Sequence, residues 1–273
     1  MDRETTKETT KNSNSSVDAV VESLSRFADL FDLPHLFLMG GYPRHLYYEK
    51  PCTDNRLDVV CAYDDLTEEM ANLFASEILG RLPSFKGHRG DIIIKTSDDE
   101  PNIELHFQSY SPNSHLYNPD LKNHLAASEA DTIPIMHNAY GRDFTVDTLA
   151  YALDDGYLYD PTGRASRDLK DKKLDSMLSP ETLFKFCPKA AFRALNLALD
   201  EDLDISPRLG KGIRSAIPRI MAVIPENERT RNAIRTIVKH REDGLDLLKK
   251  YNLDRFLIND KVKNILKQEA KGA

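Results

Sequence analysis

The sequence lacks the features of a secreted or membrane protein. It has only three cysteines, Cys52, Cys61 and Cys187, and none of them are spaced as Cys-x-x-Cys. Because three cysteines cannot all pair with one another, neither a disulfide framework nor a cysteine zinc site is indicated. No apolar run approaches the roughly 20 residues of a membrane-spanning helix, and the N-terminus lacks the apolar core of a secretory signal. We therefore expect a cytoplasmic protein that does not enter a membrane.

The charge is unevenly distributed along the chain. The formal net charge is -7. From residue 208 onward there are 16 Lys and Arg against 8 Asp and Glu, whereas the preceding residues hold 21 basic and 36 acidic residues. An acidic first part and a basic end suit a protein that holds metal or nucleotide at one end and a polyanion at the other. Solvated helix faces are the alternative interpretation.

Hydrophobic periodicity predicts strands in the first half and helices in the second. Residues 1–16 are polar and are predicted to be disordered, and an amphipathic helix is predicted over Asp18–Phe31. Four strands are predicted within residues 35–41, 57–63, 91–96 and 102–110, with a helix over 68–82. A further helix is predicted over 144–153, a short strand and turn over 156–163, and helices almost throughout from Pro180. This order predicts an α+β fold, in which a mixed-sheet head precedes an all-α region.

Two glycines after the first strand are the first candidate for a site. Gly40 and Gly41 are followed by Arg44, and Asp58 lies on the next predicted strand. Backbone N–H groups at such a glycine pair can bind a phosphate. A carboxylate on the neighbouring strand can hold a divalent cation, which neutralises a triphosphate and activates an attacking hydroxyl. A tight strand-to-helix turn is the purely structural alternative.

Downstream motifs make the pattern specific. Residues 142–150 read Arg-Asp-Phe-Thr-Val-Asp-Thr-Leu-Ala, residues 160–163 read Asp-Pro-Thr-Gly, and Asp-Leu follows at 168–169. Residues 192–198 read Phe-Arg-Ala-Leu-Asn-Leu-Ala. Together with the glycine pair and Asp58, this series resembles the class II tRNA nucleotidyltransferases (CCA-adding enzymes) and bacterial poly(A) polymerases over about residues 30–215.

The resemblance implies a polymerase beta-like nucleotidyltransferase head at 17–175, a helical neck at 176–225 and a basic helical tail at 226–273. It implies transfer of nucleotides from a nucleoside triphosphate to an RNA 3′ end, with Mg²⁺ as the cofactor and RNA and NTP as partners. The implied catalytic residues are Asp58 and Glu104, and the implied metal ligands are Asp58, Glu104 and Asp54. The implied nucleotide-binding residues are Gly40, Gly41, Arg44, Arg142, Asp143 and Arg193.

The sequence departs from the family pattern at the positions that are expected to carry the catalytic chemistry. Arg56 stands where the family has the first aspartate of an Asp-x-Asp strand, and a guanidinium cannot ligate a metal. His45 replaces the Asp of the glycine segment, Gly141 replaces an arginine before Arg142, and Asp147 replaces an asparagine. Asp58 with Glu104, and with Asp54 from the preceding loop, could still hold one metal. A structural charge network of Arg56, Asp58 and Glu104 without metal is the alternative.

Two further functions therefore compete with catalysis: a degenerate homologue that binds RNA or a partner, and a sensor that binds triphosphate without transferring it. The remaining candidates have simpler interpretations. His106, His115, His124 and His137 are not spaced as zinc ligands and are predicted to lie at the surface or in loops. Cys52 and Cys61 are predicted to pack or to sit in a loop.

Overall fold

The computed structural model describes residues 16–33, 36–52, 54–61, 67–80, 92–96, 102–109 and 133–257. These fall into two compact units. The first runs to Arg142 and resumes over Val146–Ser166; the second comprises Asp143–Thr145 and the chain from Arg167. Within the described ranges, every helix is too short or too polar to cross a bilayer.

A six-stranded mixed sheet organises the first unit. Its strands are β1 (Leu36–Met39), β2 (Arg56–Cys61), β3 (Ile92–Lys95), β4 (Glu104–Ser109), β5 (Ala150–Ala152) and β6 (Leu158–Tyr159). The spatial order is β3-β4-β2-β1-β5-β6. Only the β2–β4 pair is parallel; the other neighbours run antiparallel. The four strands predicted from alternating hydrophobicity are thus confirmed, as is the mixed character of the sheet.

The main core covers one face of this sheet. In the described part of the first unit, three helices precede β3: α1 (Ser16–Leu30), α2 (Gly41–Tyr47) and α3 (Thr67–Leu73), which continues as a π-helical turn over Phe74–Ile78. The buried residues of α1 recur at helical spacing and pack with Leu57, Val59 and Phe74. Because side chains alternate along a strand, Asp58 faces the opposite side from Leu57 and Val59.

A smaller cluster lies on that opposite side. It joins Val60 of β2 to Ile135 and Ala139 of α4 (Ile133–Tyr140), a helix that the sequence analysis did not predict. Asp58 is two residues from Val60 and therefore shares its face of the sheet. The polar groups of β2 thus lie beside α4 and away from the main core.

The helix predicted over 144–153 is wrong. Thr145–Thr148 form a single 3-10 turn, and Ala150–Ala152 form β5. This strand pairs with β1, placing Phe37 opposite Ala152 and Met39 opposite Ala150. The pairing satisfies backbone groups of β1 that would otherwise lie unpaired at a sheet edge, so tertiary hydrogen bonding overrides the helical pattern of the sequence.

The second unit is mainly helical. It contains most of α5 (Ala165–Lys170), then α6 (Pro180–Phe186), α7 (Ala190–Asp200), α8 (Pro207–Ser215), α9 (Ile217–Val223) and α10 (Glu226–Lys250). A short parallel pair, β7 (Lys173–Leu174) and β8 (Asp204–Ile205), interrupts the helices. Over residues 180–257 the helical prediction is confirmed except at β8, and the remaining residues to the C-terminus lie outside the described ranges. The predicted boundaries at 175 and 225 between head, neck and tail stay predictions.

One buried aspartate of the second unit forms hydrogen bonds with two of its loops. Asp175 Oδ1 accepts hydrogen bonds from the Ser176 N–H (2.9 Å), Ser206 Oγ (2.9 Å) and Arg208 Nη2 (3.0 Å). Ser206 Oγ also accepts from the Leu209 N–H at 3.1 Å and so caps α8. We call Asp175, Ser176, Ser206 and Arg208 the Asp175 cluster.

Candidate functional site

The glycine pair forms a turn with a carboxylate beside each glycine. Gly40 has φ +82 and precedes α2, a backbone conformation that favours glycine. A Cβ added at Gly40 would lie 3.6 Å from Asp58 Oδ2. At Gly41 it would lie 1.9 Å from Asp54 Oδ2, so a side chain at this position would displace the Asp54 carboxylate. The structure therefore brings together four of the predicted site residues at this turn.

Both oxygens of Asp58 are paired with guanidinium groups. Arg56 Nε donates to Oδ1 at 2.8 Å, and Arg142 Nη1 donates to Oδ2 at 2.7 Å. Burial alone would raise the pKa of Asp58, but the charges of Arg142 and Arg56 and their hydrogen bonds outweigh it and hold the pKa below its usual value. Asp58 is therefore an ionised carboxylate held between two arginines.

The neighbouring strand adds a second acid and a histidine to the same face. In the parallel register, Glu104 lies opposite Arg56, and His106 lies opposite Asp58. Glu104 Oε2 lies 3.3 Å from His106 Nε2. We call Arg56, Asp58, Glu104, His106 and Arg142 the Asp58 cluster.

His106 corrects the sequence analysis. It was predicted to lie at the surface or in a loop, but it is a strand residue that is only 6% exposed. The strand pattern of residues 102–110 was the signal that could have placed it beside Asp58. His115, His124 and the side chain of His137 lie outside the described residues.

The Asp58 cluster does not fit a magnesium site well. Mg²⁺ takes oxygen ligands in near-octahedral geometry, and both Asp58 oxygens already accept from arginines. In the described ranges, only His45, Cys52 and Asp54 form a group of three or more His, Cys, Asp or Glu residues close enough to share an ion. Asp54 thus groups with His45 and Cys52 rather than with Asp58 and Glu104. The predicted Mg²⁺ ligand set stays a prediction, and this geometry gives it no support.

One donor nitrogen of the Arg142 guanidinium has no hydrogen-bond partner among the described residues. Its Nε donates to Asn138 Oδ1 on α4 at 2.9 Å, and its Nη1 donates to Asp58. Its Nη2 is buried and has no hydrogen-bond partner among the described residues. A buried donor of a charged group that lacks an acceptor is costly, so this nitrogen is a candidate donor to a further oxygen acceptor. Asn138 was missed from the sequence; its position one helical turn before Arg142 is the signal.

Arg44 is anchored by a different acid. Its Nη1 forms a short ion pair with Asp147 Oδ1, and Arg44 is only 7% exposed. Asp147 stands where the family pattern has asparagine, and this ion pair gives the substitution a physical reason. The predicted role of Arg44 in holding a triphosphate stays a prediction.

The remaining residues of the Arg-Asp-Phe-Thr segment lie in the second unit. Asp143 Oδ2 accepts from Arg193 Nη2, so two predicted nucleotide-binding residues form an ion pair. Thr145 Oγ1 donates to Asp168 Oδ2 at 2.7 Å, and both side chains are fully buried. Thr145 and Asp168 therefore have a structural role, whereas Arg142 contributes to the Asp58 cluster of the first unit.

A family model described as the poly A polymerase head domain matches residues 36–175. The match covers just over half of the chain and includes the whole Asp58 cluster. The chain belongs to this family. The poly A polymerase head is a nucleotidyltransferase domain, and the family generally uses a divalent metal. A search of curated proteins found none that matches.

Solved structures share the fold. A CCA-adding enzyme in complex with CTP has a TM-score of 0.65 at 17% identity, over 90% of this chain and 54% of that one. A tRNA nucleotidyltransferase with a primer tRNA and an incoming ATP analogue has a TM-score of 0.62 at 21% identity, over 86% of this chain and 62% of that one. A tRNA-processing enzyme has a TM-score of 0.63 at 21% identity, over 87% and 60%. This chain thus spans 54 to 62% of the length of these relatives.

Proposed function

We propose that this poly A polymerase head binds the triphosphate of a nucleotide at the glycine turn, through arginines rather than through a divalent cation, and transfers no nucleotide. The observation that carries the proposal is the pairing of Asp58. Arg56 and Arg142 occupy both of its oxygens, while Arg142 Nη2 remains a buried donor without an acceptor. A phosphate oxygen would satisfy that donor.

Electrostatics supports this arrangement. A triphosphate needs positive charge beside it, and divalent metals supply that charge where two free carboxylates hold them. Arg56 replaces one such carboxylate with a permanent positive charge. Arginine also matches the geometry of phosphate oxygens through paired N–H donors. The substitution therefore removes a metal ligand and at the same time adds a phosphate-binding group.

RNA is the second proposed partner. The neighbouring structures include one with a primer tRNA. The second unit of this chain carries many exposed basic side chains on α8, α9 and α10, which include Lys211, Arg214, Arg219, Arg231 and Arg235. Such groups bind the phosphate backbone without sequence preference, and the affinity falls steeply with salt.

Catalysis is the second candidate function. Here Asp58 and Glu104 would bind Mg²⁺, with Asp54 as a further ligand, and Gly40, Gly41, Arg44, Arg142, Asp143 and Arg193 would hold the nucleotide. One observation favours it: the Arg56 side chain is 51% exposed and pairs with a single oxygen of Asp58. Exposed ion pairs contribute little free energy, so Arg56 could leave Asp58 at small cost.

The test measures binding and transfer on the same protein. Labelled ATP or CTP is incubated with the full chain, first with Mg²⁺ or Mn²⁺ and an RNA lacking its 3′ end, then with a chelator in place of the metal. We expect no RNA extension, and nucleotide binding that persists in the chelator. Arg142→Ala should weaken that binding about tenfold or more, because hydrogen bonds to charged groups contribute about 1.5–3 kcal/mol.

Two controls make the outcome decisive. Arg26→Ala removes an exposed arginine that pairs with Glu22 on α1, and it should leave nucleotide binding unchanged. Arg142→Lys keeps the positive charge but lacks the forked N–H donors of arginine. Weaker nucleotide binding by this variant would therefore show that hydrogen bonding contributes in addition to charge. Extension by the unmodified chain that disappears in Asp58→Ala would establish the catalytic candidate instead. Binding that requires the metal would reject the arginine-based site.

A further inference from the structure

A mixed nitrogen, sulfur and oxygen cluster lies beside the glycine turn and is not used by the proposed function. His45 is on α2, and Cys52 and Asp54 are on the segment between α2 and β2. One ligand atom from each residue lies within 4.8 Å of the others. His45 Nε2 and Asp54 Oδ2 are 3.8 Å apart, too far for a hydrogen bond. The three side chains therefore lie close together, and His45 Nε2 and Asp54 Oδ2 do not form a direct hydrogen bond.

The spacing suits a tetrahedral ion. Zinc lies at about 2.0–2.3 Å from nitrogen, sulfur and oxygen ligands, which puts neighbouring ligand atoms about 3.3–3.7 Å apart. His45 Nε2 and Asp54 Oδ2, at 3.8 Å, already lie near this range. All the ligand atoms lie within 4.8 Å of one another, so small side-chain rotations that shorten the separations by up to about 1–1.5 Å complete the geometry. The donor set also excludes magnesium, which prefers oxygen ligands alone. We propose that His45, Cys52 and Asp54 bind a zinc-class transition metal ion, with water in the fourth position.

Two features of the surroundings support the site. His45 Nδ1 is buried and has no hydrogen-bond partner among the described residues, so no hydrogen bond through this atom fixes the imidazole, and either ring nitrogen can serve as the ligand atom. At Gly41, the missing side chain leaves the space that Asp54 Oδ2 occupies. The packing thus holds a carboxylate next to a histidine and a buried thiol.

Access and charge are compatible with binding. Cys52 is 5% exposed, the His45 side chain 16% and the Asp54 side chain 44%, so the ion can enter from the Asp54 side. Arg44 also faces this region, but its charge is paired with Asp147. Burial raises the pKa of Cys52 to about 11; as Sγ binds the ion, the thiol proton leaves to solvent.

Cobalt substitution tests the site directly. The full chain is stripped of metal with a chelator, dialysed and titrated with Co²⁺, whose visible spectrum reports tetrahedral geometry and whose near-ultraviolet charge-transfer band reports a thiolate ligand. We expect one equivalent to bind with both signals, and Zn²⁺ to displace it. Cys52→Ala should abolish the thiolate band, whereas Cys61→Ala, the matched buried cysteine on β2, should retain it.

Asp54→Asn keeps the test valid if Cys52→Ala folds poorly, because Asp54 is partly exposed. It should weaken Co²⁺ binding at least tenfold while leaving the circular dichroism spectrum unchanged. No stoichiometric binding, or a thiolate band that survives in Cys52→Ala, would overturn the proposal. Nucleotide binding in the chelator is read separately, so failure of the metal site and failure of the proposed function are distinguishable.

Discussion

Asp58 in the first unit and Asp175 in the second are both largely buried aspartates beside arginines, yet their surroundings differ. The pKa of each is held below its usual value: burial opposes this at both sites, but arginine charges prevail at Asp58, and hydrogen bonds from Ser206 and Arg208 prevail at Asp175. In the Asp175 cluster, Arg208 Nη2 donates to Asp175 Oδ1 at 3.0 Å and to the Ser176 carbonyl at 2.8 Å. In the Asp58 cluster, Arg142 Nη2 has no acceptor in the described part of the chain.

This difference underlies the proposal that the Asp175 cluster is structural and that the Asp58 cluster binds a ligand. A network whose donors all meet acceptors within the chain fixes loops in place, because every polar group is compensated on folding. A network with one buried donor left over is incomplete until a ligand arrives. Substitutions in the two clusters should therefore have different effects on stability and on binding.

Removing Asp175 should produce the largest effect on stability. Asp175→Ala leaves Arg208 and the Ser206 hydroxyl without their acceptor, so we expect the free energy of unfolding to fall by about 3 kcal/mol. Urea denaturation followed by circular dichroism measures it. Asp246→Ala, an exposed aspartate on α10 that pairs with Lys249, should change stability little. Equal effects at the two positions would contradict a special role for the Asp175 cluster.

Removing the charge of Asp58 should strengthen triphosphate binding. Asp58→Asn takes a negative charge away from Arg56 and Arg142, so we expect the Kd for ATP in chelator to fall about tenfold, since nearby charges interact by about 1–4 kcal/mol. Fluorescence anisotropy with a labelled nucleotide measures it. If Asp58 held a metal for catalysis, the same variant would weaken metal-dependent binding instead, so the sign of the change decides between the two functions.

The cap of α8 allows a finer comparison. Ser206→Ala removes both the cap of α8 and a hydrogen bond to Asp175, and we expect it to cost about 1–2 kcal/mol of unfolding free energy. Ser179 caps α6 by accepting from the Thr182 N–H, but its hydroxyl donates to the Thr182 hydroxyl rather than to a buried carboxylate. Ser179→Ala should therefore cost less, in the same urea experiment. An equal cost at the two positions would show that capping alone accounts for the loss.

Acid should reveal the smallest effect. Because the folded-state pKa of Asp175 is depressed, its contribution to stability is present above the unfolded pKa of about 3.9 and is lost as pH falls through the folded value. We expect the stability difference between the unmodified chain and Asp175→Ala to be constant from pH 7 to about 5 and to shrink below about pH 4. Thermal melts across this range measure it. A difference that persists unchanged at pH 3 would mean that packing dominates.

Local patterns were enough to predict much of the fold. Alternating hydrophobicity predicted the four main strands, and helical spacing predicted α1 and the helices of the second unit. The motif series predicted the family, which the family match confirms. The sequence alone also revealed Arg56 in the place of a metal ligand, because that observation needs only a residue type at a position.

Only the tertiary structure decided which side chains meet. Residues 144–153 have a helical pattern, but Ala150–Ala152 form a strand because they pair with the backbone groups of β1 that would otherwise be unpaired. Arg142 reaches Asp58 across 84 positions, and Cys52 meets His45 and Asp54 without any motif spacing. Periodicity fixes the face on which a residue lies, since it follows from the local backbone. Contacts between distant residues depend on strand register and loop paths, and these are set by the packing of the whole unit.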